Sequence, residues 1–142
     1  KFDKILSACD FIFPSLYTAY PDSEVGNEKN KKYLTENLTA ALAYGVRLKK
    51  PVIPFMWNAV HPSNKKHGGE LLTAEEMYNN ILFIKNFKYK NIGVQGIIWW
   101  DPDYVWFGKY VKLPADLRSE KSTIDIQSEL FYKYTKPFIT EN

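Results

Sequence analysis

The sequence predicts an α/β fold in which short parallel strands alternate with helices. Three runs rich in β-branched and aromatic residues begin near Phe11, Val52 and Val94, about 40 residues apart, and helical patterns lie between them. Strands that alternate with helices in this way form a parallel sheet with the helices packed outside it. The third run is bounded by Gly93 and Pro102, which suits a strand covered on both faces better than a helix.

The composition excludes several classes of protein. With 142 residues, 45% of them apolar and 25% charged, the chain has the size and balance of one globular domain. Its net charge of +3 is spread over separate lysine clusters at residues 29–32, 49–50 and 65–66, so we expect no nucleic-acid partner. No apolar run approaches the roughly 20 residues that span a bilayer, so we expect no membrane partner. Cys9 is the single cysteine, which excludes a disulfide within the chain.

The first βα unit begins with a strand at residues 10–17, interrupted by Pro14, which removes a ladder donor. Turn residues fill positions 20–30 and predict a loop. Residues 31–50 carry apolar side chains at helical spacing, and Pro51 cannot continue that helix.

The second and third units follow the same order. A strand is predicted at residues 51–60, then a polar loop at 61–69, then a helix that starts at a Thr73–Glu76 capping box and ends near Phe87. The third strand covers residues 94–100. An aromatic segment at 102–122 leads to a last helix, which we expect Pro137 to stop.

Candidate site residues lie where these strands end. Pro14 precedes Tyr17 as Pro54 precedes Trp57, so two strands would bend and then present an aromatic ring at the end where parallel α/β folds bind ligands. Alternation along the third strand places Trp99 opposite to Trp100. Only one of the two tryptophans can therefore belong to a site at the end of this strand, and the other should pack in the interior.

Three or four βα units make about half of an eight-stranded barrel, which needs roughly 250 residues. An isolated half would leave two open strand edges. The chain is therefore interpreted as a single partial domain over residues 1–142, with the rest of a (β/α)8-like barrel supplied in the same polypeptide or by another chain.

The motifs together resemble the C-terminal half of the hyaluronidases, a family of glycoside hydrolases. Phe13-Pro-Ser-Leu-Tyr17 is similar to a Leu-Pro-Ser-aliphatic-Tyr strand, and Val52-Ile-Pro-Phe-Met-Trp57 is similar to an aliphatic-Pro-aromatic strand. Gly96-Ile-Ile-Trp99 resembles a Gly-aliphatic-aliphatic-aliphatic-Trp strand with one residue of slack. Two features depart from the family: residues 124–126 lack its cysteine, and Trp100-Asp101 replaces a smaller Gly or Val.

The resemblance implies a retaining, substrate-assisted hydrolysis of a glycan that contains N-acetylhexosamine, with a polysaccharide or oligosaccharide substrate and no cofactor. It gives Tyr17 the role of hydrogen-bonding the N-acetyl group, and it places Trp99 in the sugar cleft, so that Trp100 would pack toward the helices. It also makes the chain the C-terminal half of a (β/α)8-like barrel. The general acid of the family's Asp-x-Glu pair would lie in the missing N-terminal half, so this chain alone would be inactive. Secretion or a lysosomal location would follow the family.

Further substrate-binding candidates are Trp57, Ser15, Tyr20 and Asp101. Asp101 and Asp103 could also act as an acid–base pair, because glycosidases use two carboxyl groups about 5 Å apart for retention. The competing interpretation of Asp-Pro-Asp is a turn.

Two functional alternatives to the hydrolase part stay open. One is a non-catalytic carbohydrate-binding or structural relative, and the other is a stand-alone α/β glycosidase that uses Asp101 and Asp103. His61 and His67 lie in a polar loop without partners for a zinc site and are interpreted as surface residues, so no metal is expected.

Overall fold

The computed structural model describes residues 2–100, 112, 113, 115 and 122–139. Five helices and two short strands are defined in these ranges. In chain order they are α1 (Asp3–Ala8), α2 (Asp22–Val25), α3 (Asn27–Leu48), β1 (Phe55–Met56), α4 (Ala74–Asn86), β2 (Ile98–Trp99) and α5 (Thr123–Ile139). In the described part of the chain, no helix is both long and apolar enough to cross a membrane.

Three extended segments, at residues 11–17, 52–57 and 95–100, lie side by side and run parallel. Isolated bridges join Ile12 to Val52 and Ser15 to Phe55, both with an offset of 40 residues. β1 pairs with β2 in the register Phe55 to Ile98, and one residue later Met56 pairs with Trp99. The second segment is therefore the middle one, and its neighbours are the first and the third.

The regular strands are shorter than the predicted strands at residues 10–17, 51–60 and 94–100. Prolines explain part of the difference, because Pro14 and Pro54 offer a carbonyl but no N–H to the ladder. The Pro14 carbonyl accepts the N–H of Phe55 at 2.9 Å, and the Pro54 carbonyl accepts the N–H of Ile98 at 2.8 Å. Each proline thus takes part in one pairing and interrupts the regular pattern around it.

One side of the paired segments is covered by helices. Leu16, Met56 and Val60 are nearly inaccessible there, and they pack in a cluster with residues of α3, α4 and α5. A second, smaller cluster joins Val52 to Ile12 and to the C-terminal half of α3. The core therefore lies between the extended segments and the three longer helices.

The loop predicted at residues 20–30 is largely helical. α2 occupies Asp22–Val25, and α3 starts at Asn27 rather than at residue 31. The Asp22 carboxylate accepts hydrogen bonds from the side chains of Asn27 at 2.9 Å and Asn30 at 2.7 Å. The turn residues that indicated a loop therefore bond to one another and join α2 to the first turn of α3.

The start of α4 confirms one prediction, and the end of α5 corrects another. The Thr73–Glu76 capping box is present as predicted and begins α4. α5, however, continues through Pro137 to Ile139. A proline removes one backbone hydrogen bond from the helix, and Phe138 stacks on Tyr78 of α4 at a centroid distance of 5.0 Å. This packing favours the helical last turn despite the proline.

Candidate functional site

Four aromatic rings form a row on the side of the segments opposite the helices. Phe11 contacts Phe13 at 5.7 Å between ring centroids, Phe13 contacts Phe55 at 5.6 Å, and Phe55 contacts Trp100 at 5.6 Å. Phe11, Phe13 and Trp100 are between 43% and 45% exposed. We call Phe11, Phe13, Phe55 and Trp100 the aromatic row. It crosses all three segments and leaves apolar surface open to solvent.

The predicted orientations of Trp99 and Trp100 are wrong. Trp99 lies against α5, with its ring 5.5 Å from Phe131 and 5.7 Å from Tyr134. Its indole N–H is buried and has no partner in the described part of the chain. Trp100 is 45% exposed and belongs to the aromatic row. Register explains the reversal, since Trp99 pairs with Met56, which faces the helices and is 1% exposed.

A sequence signal for Trp100 existed. The spacing from Gly96 to Trp100 is that of the Gly-aliphatic-aliphatic-aliphatic-Trp pattern, with Trp99 in its third aliphatic position. The one-residue slack of the match that ends on Trp99 was the available indication that the neighbouring tryptophan was an alternative.

Tyr17 is held between two rings from the second segment and its loop. Its ring meets Trp57 edge-on, at 6.5 Å and 77°, and lies parallel to His61, at 6.1 Å and 10°. Burial raises the pKa of Tyr17 above 10, and a hydrogen bond with the Ser15 side chain acts in the opposite direction. The phenol is therefore neutral at physiological pH and can donate a hydrogen bond.

Trp57 supports Tyr17 from the interior. It is only 4% exposed, and its indole N–H is buried without a partner among the described residues. The expectation that Trp57 lines an open cleft is therefore wrong for the structure as it stands. Packing explains this position, because Trp57 belongs to the main core cluster, which also contains Leu16 and Met56.

His61 was missed as a site residue. Instead of being a free surface residue, His61 is of intermediate exposure and its ring is stacked on Tyr17. The Nδ1 atom lies 2.8 Å from the Ser63 hydroxyl and accepts the Ser63 backbone N–H at 3.2 Å. The available signal was position alone, since His61 begins the loop after the second predicted strand.

Hydrogen bonds tie the loops after the first two segments together. The His61 N–H donates to the Thr18 carbonyl at 2.8 Å. The side-chain amide of Asn64, a residue only 7% exposed, donates to the Ala19 carbonyl at 3.1 Å and to the Glu24 carboxylate at 3.0 Å. These bonds fix the loop that carries His61 against the loop that follows Tyr17.

His67 has a structural role in the same loop. Its Nδ1 atom lies 2.8 Å from a Glu70 carboxylate oxygen, and Lys112 binds the other oxygen at 3.1 Å. The hydrogen bond with His67, followed by that with Lys112, lowers the pKa of Glu70 below 4.5. Within the described residues, no group of three or more His, Cys, Asp or Glu side chains could hold a metal ion.

The remaining site candidates are only partly brought together. Ser15 lies in the first segment and interacts with the Tyr17 hydroxyl. Tyr20 is 50% exposed, and its backbone carbonyl accepts the Asn30 side chain at 3.0 Å, so it stands apart from the rings around Tyr17. Asp101 and Asp103, the possible acid–base pair, lie outside the described residues.

Comparison with known proteins gives a distant structural relationship. No family model matches the sequence, and no curated protein matches it significantly. Among solved structures, bee venom hyaluronidase is similar to this chain with a TM-score of 0.57 at 15% sequence identity. The similar region covers 92% of this chain and 35% of the hyaluronidase chain. The chain thus spans about a third of a glycoside hydrolase to which it is distantly similar, and at this identity the similarity establishes the fold alone.

Proposed function

We propose that this chain is the C-terminal part of a (β/α)8-like glycoside hydrolase that cleaves a glycan containing N-acetylhexosamine. The observation that carries the proposal is the structural similarity of 92% of the chain to part of a hyaluronidase. The three parallel segments, with helices on one side and an open aromatic row on the other, are what a section of such a barrel would present.

Tyr17 is proposed to position the N-acetyl group. In substrate-assisted hydrolysis, a general acid protonates the leaving oxygen while the substrate's acetamido oxygen attacks the anomeric carbon. Water then opens the cyclic intermediate and retains the configuration. The Tyr17 hydroxyl would donate to the acetamido group and orient it for attack, and its raised pKa keeps the proton on the phenol. The general acid would come from the part of the barrel outside this chain.

The aromatic row is proposed to face the barrel interior. Apolar rings that are 43–45% exposed are expected to be covered in the working protein. The missing half of the barrel would cover Phe11 and Phe13, whereas Trp100, at the carboxyl end of β2, would contribute to the sugar subsite. Trp100 therefore replaces Trp99 as the proposed cleft tryptophan, because exposed indole faces are suited to sugar rings.

A non-catalytic carbohydrate-binding relative is the second candidate. It is favoured by the surroundings of Tyr17, whose ring and hydrogen-bond partners in the described part of the chain are Ser15, Trp57 and His61. None of these three is a carboxylic acid. The stand-alone enzyme that uses Asp101 and Asp103 remains a prediction outside the described residues.

The experiment that tests the first proposal uses the full-length polypeptide with hyaluronan and an N-acetylglucosamine oligomer as substrates. Tyr17→Phe removes the hydroxyl alone and should lower kcat by about 100- to 1000-fold, the usual effect of losing one oriented hydrogen-bond donor. Tyr132→Phe, an exposed tyrosine on α5, is the matched control and should leave kcat unchanged. Binding without any cleavage by the unaltered protein would favour the carbohydrate-binding alternative.

A further inference from the structure

His61 carries a hydrogen-bond donor whose direction is fixed by its own loop. The backbone N–H of Ser63 can only donate, and it lies 3.2 Å from the Nδ1 atom of His61. Nδ1 must therefore be an acceptor in the neutral ring, which leaves the proton on Nε2. The Ser63 hydroxyl, 2.8 Å from the same nitrogen, is consistent with this tautomer because it can also donate.

The Nε2–H group of His61 has no acceptor in the described part of the chain. The residue is of intermediate exposure, and Nε2 is not among the buried polar atoms of the described residues, so this donor is open to a ligand. The parallel stack with Tyr17, at 6.1 Å and 10°, places the imidazole and the phenol beside each other. The bond from the His61 N–H to the Thr18 carbonyl and the bond from the Asn64 N–H to the His61 carbonyl hold its backbone on both sides. The donor is therefore pre-organised, which reduces the entropic cost of binding a ligand.

We propose that His61 is a ligand-binding residue that donates from Nε2–H to a glycan oxygen, beside the donor of Tyr17. This rests on the proposed function, and it adds a contact that selects for an oxygen acceptor, either a hydroxyl or an acetamido carbonyl. The purely structural alternative is that the imidazole serves only as a flat surface for the Tyr17 ring. The two interpretations make opposite predictions for isosteric variants.

The test measures the affinity of the full-length protein for an N-acetylglucosamine oligomer by titration calorimetry. In His61→Gln, the amide nitrogen stands near the Nε2 position, so the donor is retained and affinity should stay within about threefold of the unaltered protein. In His61→Phe, the stack is retained and the donor is lost. Affinity should then fall about five- to tenfold, as expected for one hydrogen bond. A phenylalanine variant that binds as well as the unaltered protein, or a glutamine variant that binds no better than the phenylalanine one, overturns the proposal.

A measurement on the unaltered protein keeps the test independent of variant folding. The chain has two histidines, and they are expected to be opposite tautomers when neutral, because Nδ1 of His61 accepts from Ser63 whereas Nδ1 of His67 faces the Glu70 carboxylate. Two-bond nitrogen–proton NMR spectra distinguish the tautomers. Adding the oligomer should shift Nε2 of His61 and leave His67 unchanged. An unshifted His61 signal at saturation, or an Nδ1–H tautomer at His61, contradicts the proposal.

Glycan binding and the His61 contact can fail separately. If the unaltered protein binds neither hyaluronan nor the N-acetylglucosamine oligomer, the proposed function is wrong, and the His61 contact is wrong with it. If the protein binds and Tyr17→Phe weakens cleavage while the His61 variants bind as the unaltered protein does, the proposed function stands and only the His61 contact is overturned.

Discussion

The neighbouring tryptophans Trp99 and Trp100, at the end of β2, provide a direct test of which side of the extended segments faces the core. Trp99 fills the space between β2 and α5, where it contacts the rings of Phe131 and Tyr134. Replacing a buried aromatic residue with alanine costs about 3–5 kcal/mol of unfolding free energy. Because Trp99 is partly rather than fully buried, the lower end of the range, about 3 kcal/mol, is expected for Trp99→Ala.

Trp100→Ala should cost much less. Trp100 is 45% exposed, and within the described ranges it makes one ring contact, with Phe55, so about 1 kcal/mol is expected. For a domain of this size, 1 kcal/mol shifts Tm by roughly 2–4 °C. Thermal unfolding followed by circular dichroism should therefore show a fall of about 6–12 °C for Trp99→Ala and about 2–4 °C for Trp100→Ala.

A second assay avoids large changes in packing. Trp99→Phe should remove fluorescence that acrylamide quenches poorly, whereas Trp100→Phe should remove fluorescence that acrylamide quenches readily. The reasoning would be refuted by the reverse result, in which Trp100→Ala lowers Tm as much as Trp99→Ala and Trp99 proves to be the quenchable ring.

Three further predictions concern stability. Tyr134→Phe should cost about 1–3 kcal/mol at neutral pH, because the buried hydroxyl donates to the Leu72 carbonyl at 2.6 Å. Burial, followed by the charge of Glu76, raises the pKa of Tyr134 to about 12, so its stabilising effect is complete below pH 10 and is lost as pH rises toward 12. Urea unfolding should show the gap between variant and unaltered protein narrowing over that range, and a constant gap would contradict the assignment. Glu70→Gln should lower the unfolding free energy by about 0.2–1 kcal/mol near neutral pH. The lowered pKa of Glu70 means that its ionised carboxylate stabilises the folded protein above pH 4.5. The difference in unfolding free energy between the variant and the unaltered protein should vanish as the pH falls through the lowered pKa of Glu70. If urea unfolding in acid still showed this difference, the carboxylate would not be its cause. Gly45→Ala should destabilise the protein by about 1–3 kcal/mol although alanine favours helices, because the added Cβ would lie 2.7 Å from the Val52 Cγ2 atom. An increase in Tm for this variant would show that α3 can move away from the second segment.

Local features of the chain could be predicted from the sequence where one short motif determines them. The capping box of α4 depends on two side chains three residues apart, and the structure contains it. The matching Pro14 and Pro54 have the same 40-residue spacing as the bridges between the first two segments. The continuation of α5 through Pro137 could not be predicted in this way, because it depends on the contact of Phe138 with the neighbouring helix.

The third segment shows why the alternation of side chains along a strand does not by itself predict which side chains face the core. Alternation requires Trp99 and Trp100 to point in opposite directions, but it does not say which side α5 covers. That choice depends on the register with the second segment, where Met56 faces the core beside Trp99. Without that register, the motif similarity that ended on Trp99 led to the opposite assignment.

His61 illustrates the same limit for the candidate site. Sequence motifs identified Tyr17 because it ends a strand, but the stack that orients it depends on a loop folding back to the first segment. The backbone hydrogen bond from His61 to the Thr18 carbonyl and the bond from the Asn64 side-chain amide to the Ala19 carbonyl produce that return. Neither bond depends on the side chain of His61, the residue that they position. The polar composition of the loop therefore predicts that His61 is a surface residue. The path of the backbone instead makes His61 the neighbour of Tyr17, the proposed substrate-positioning tyrosine.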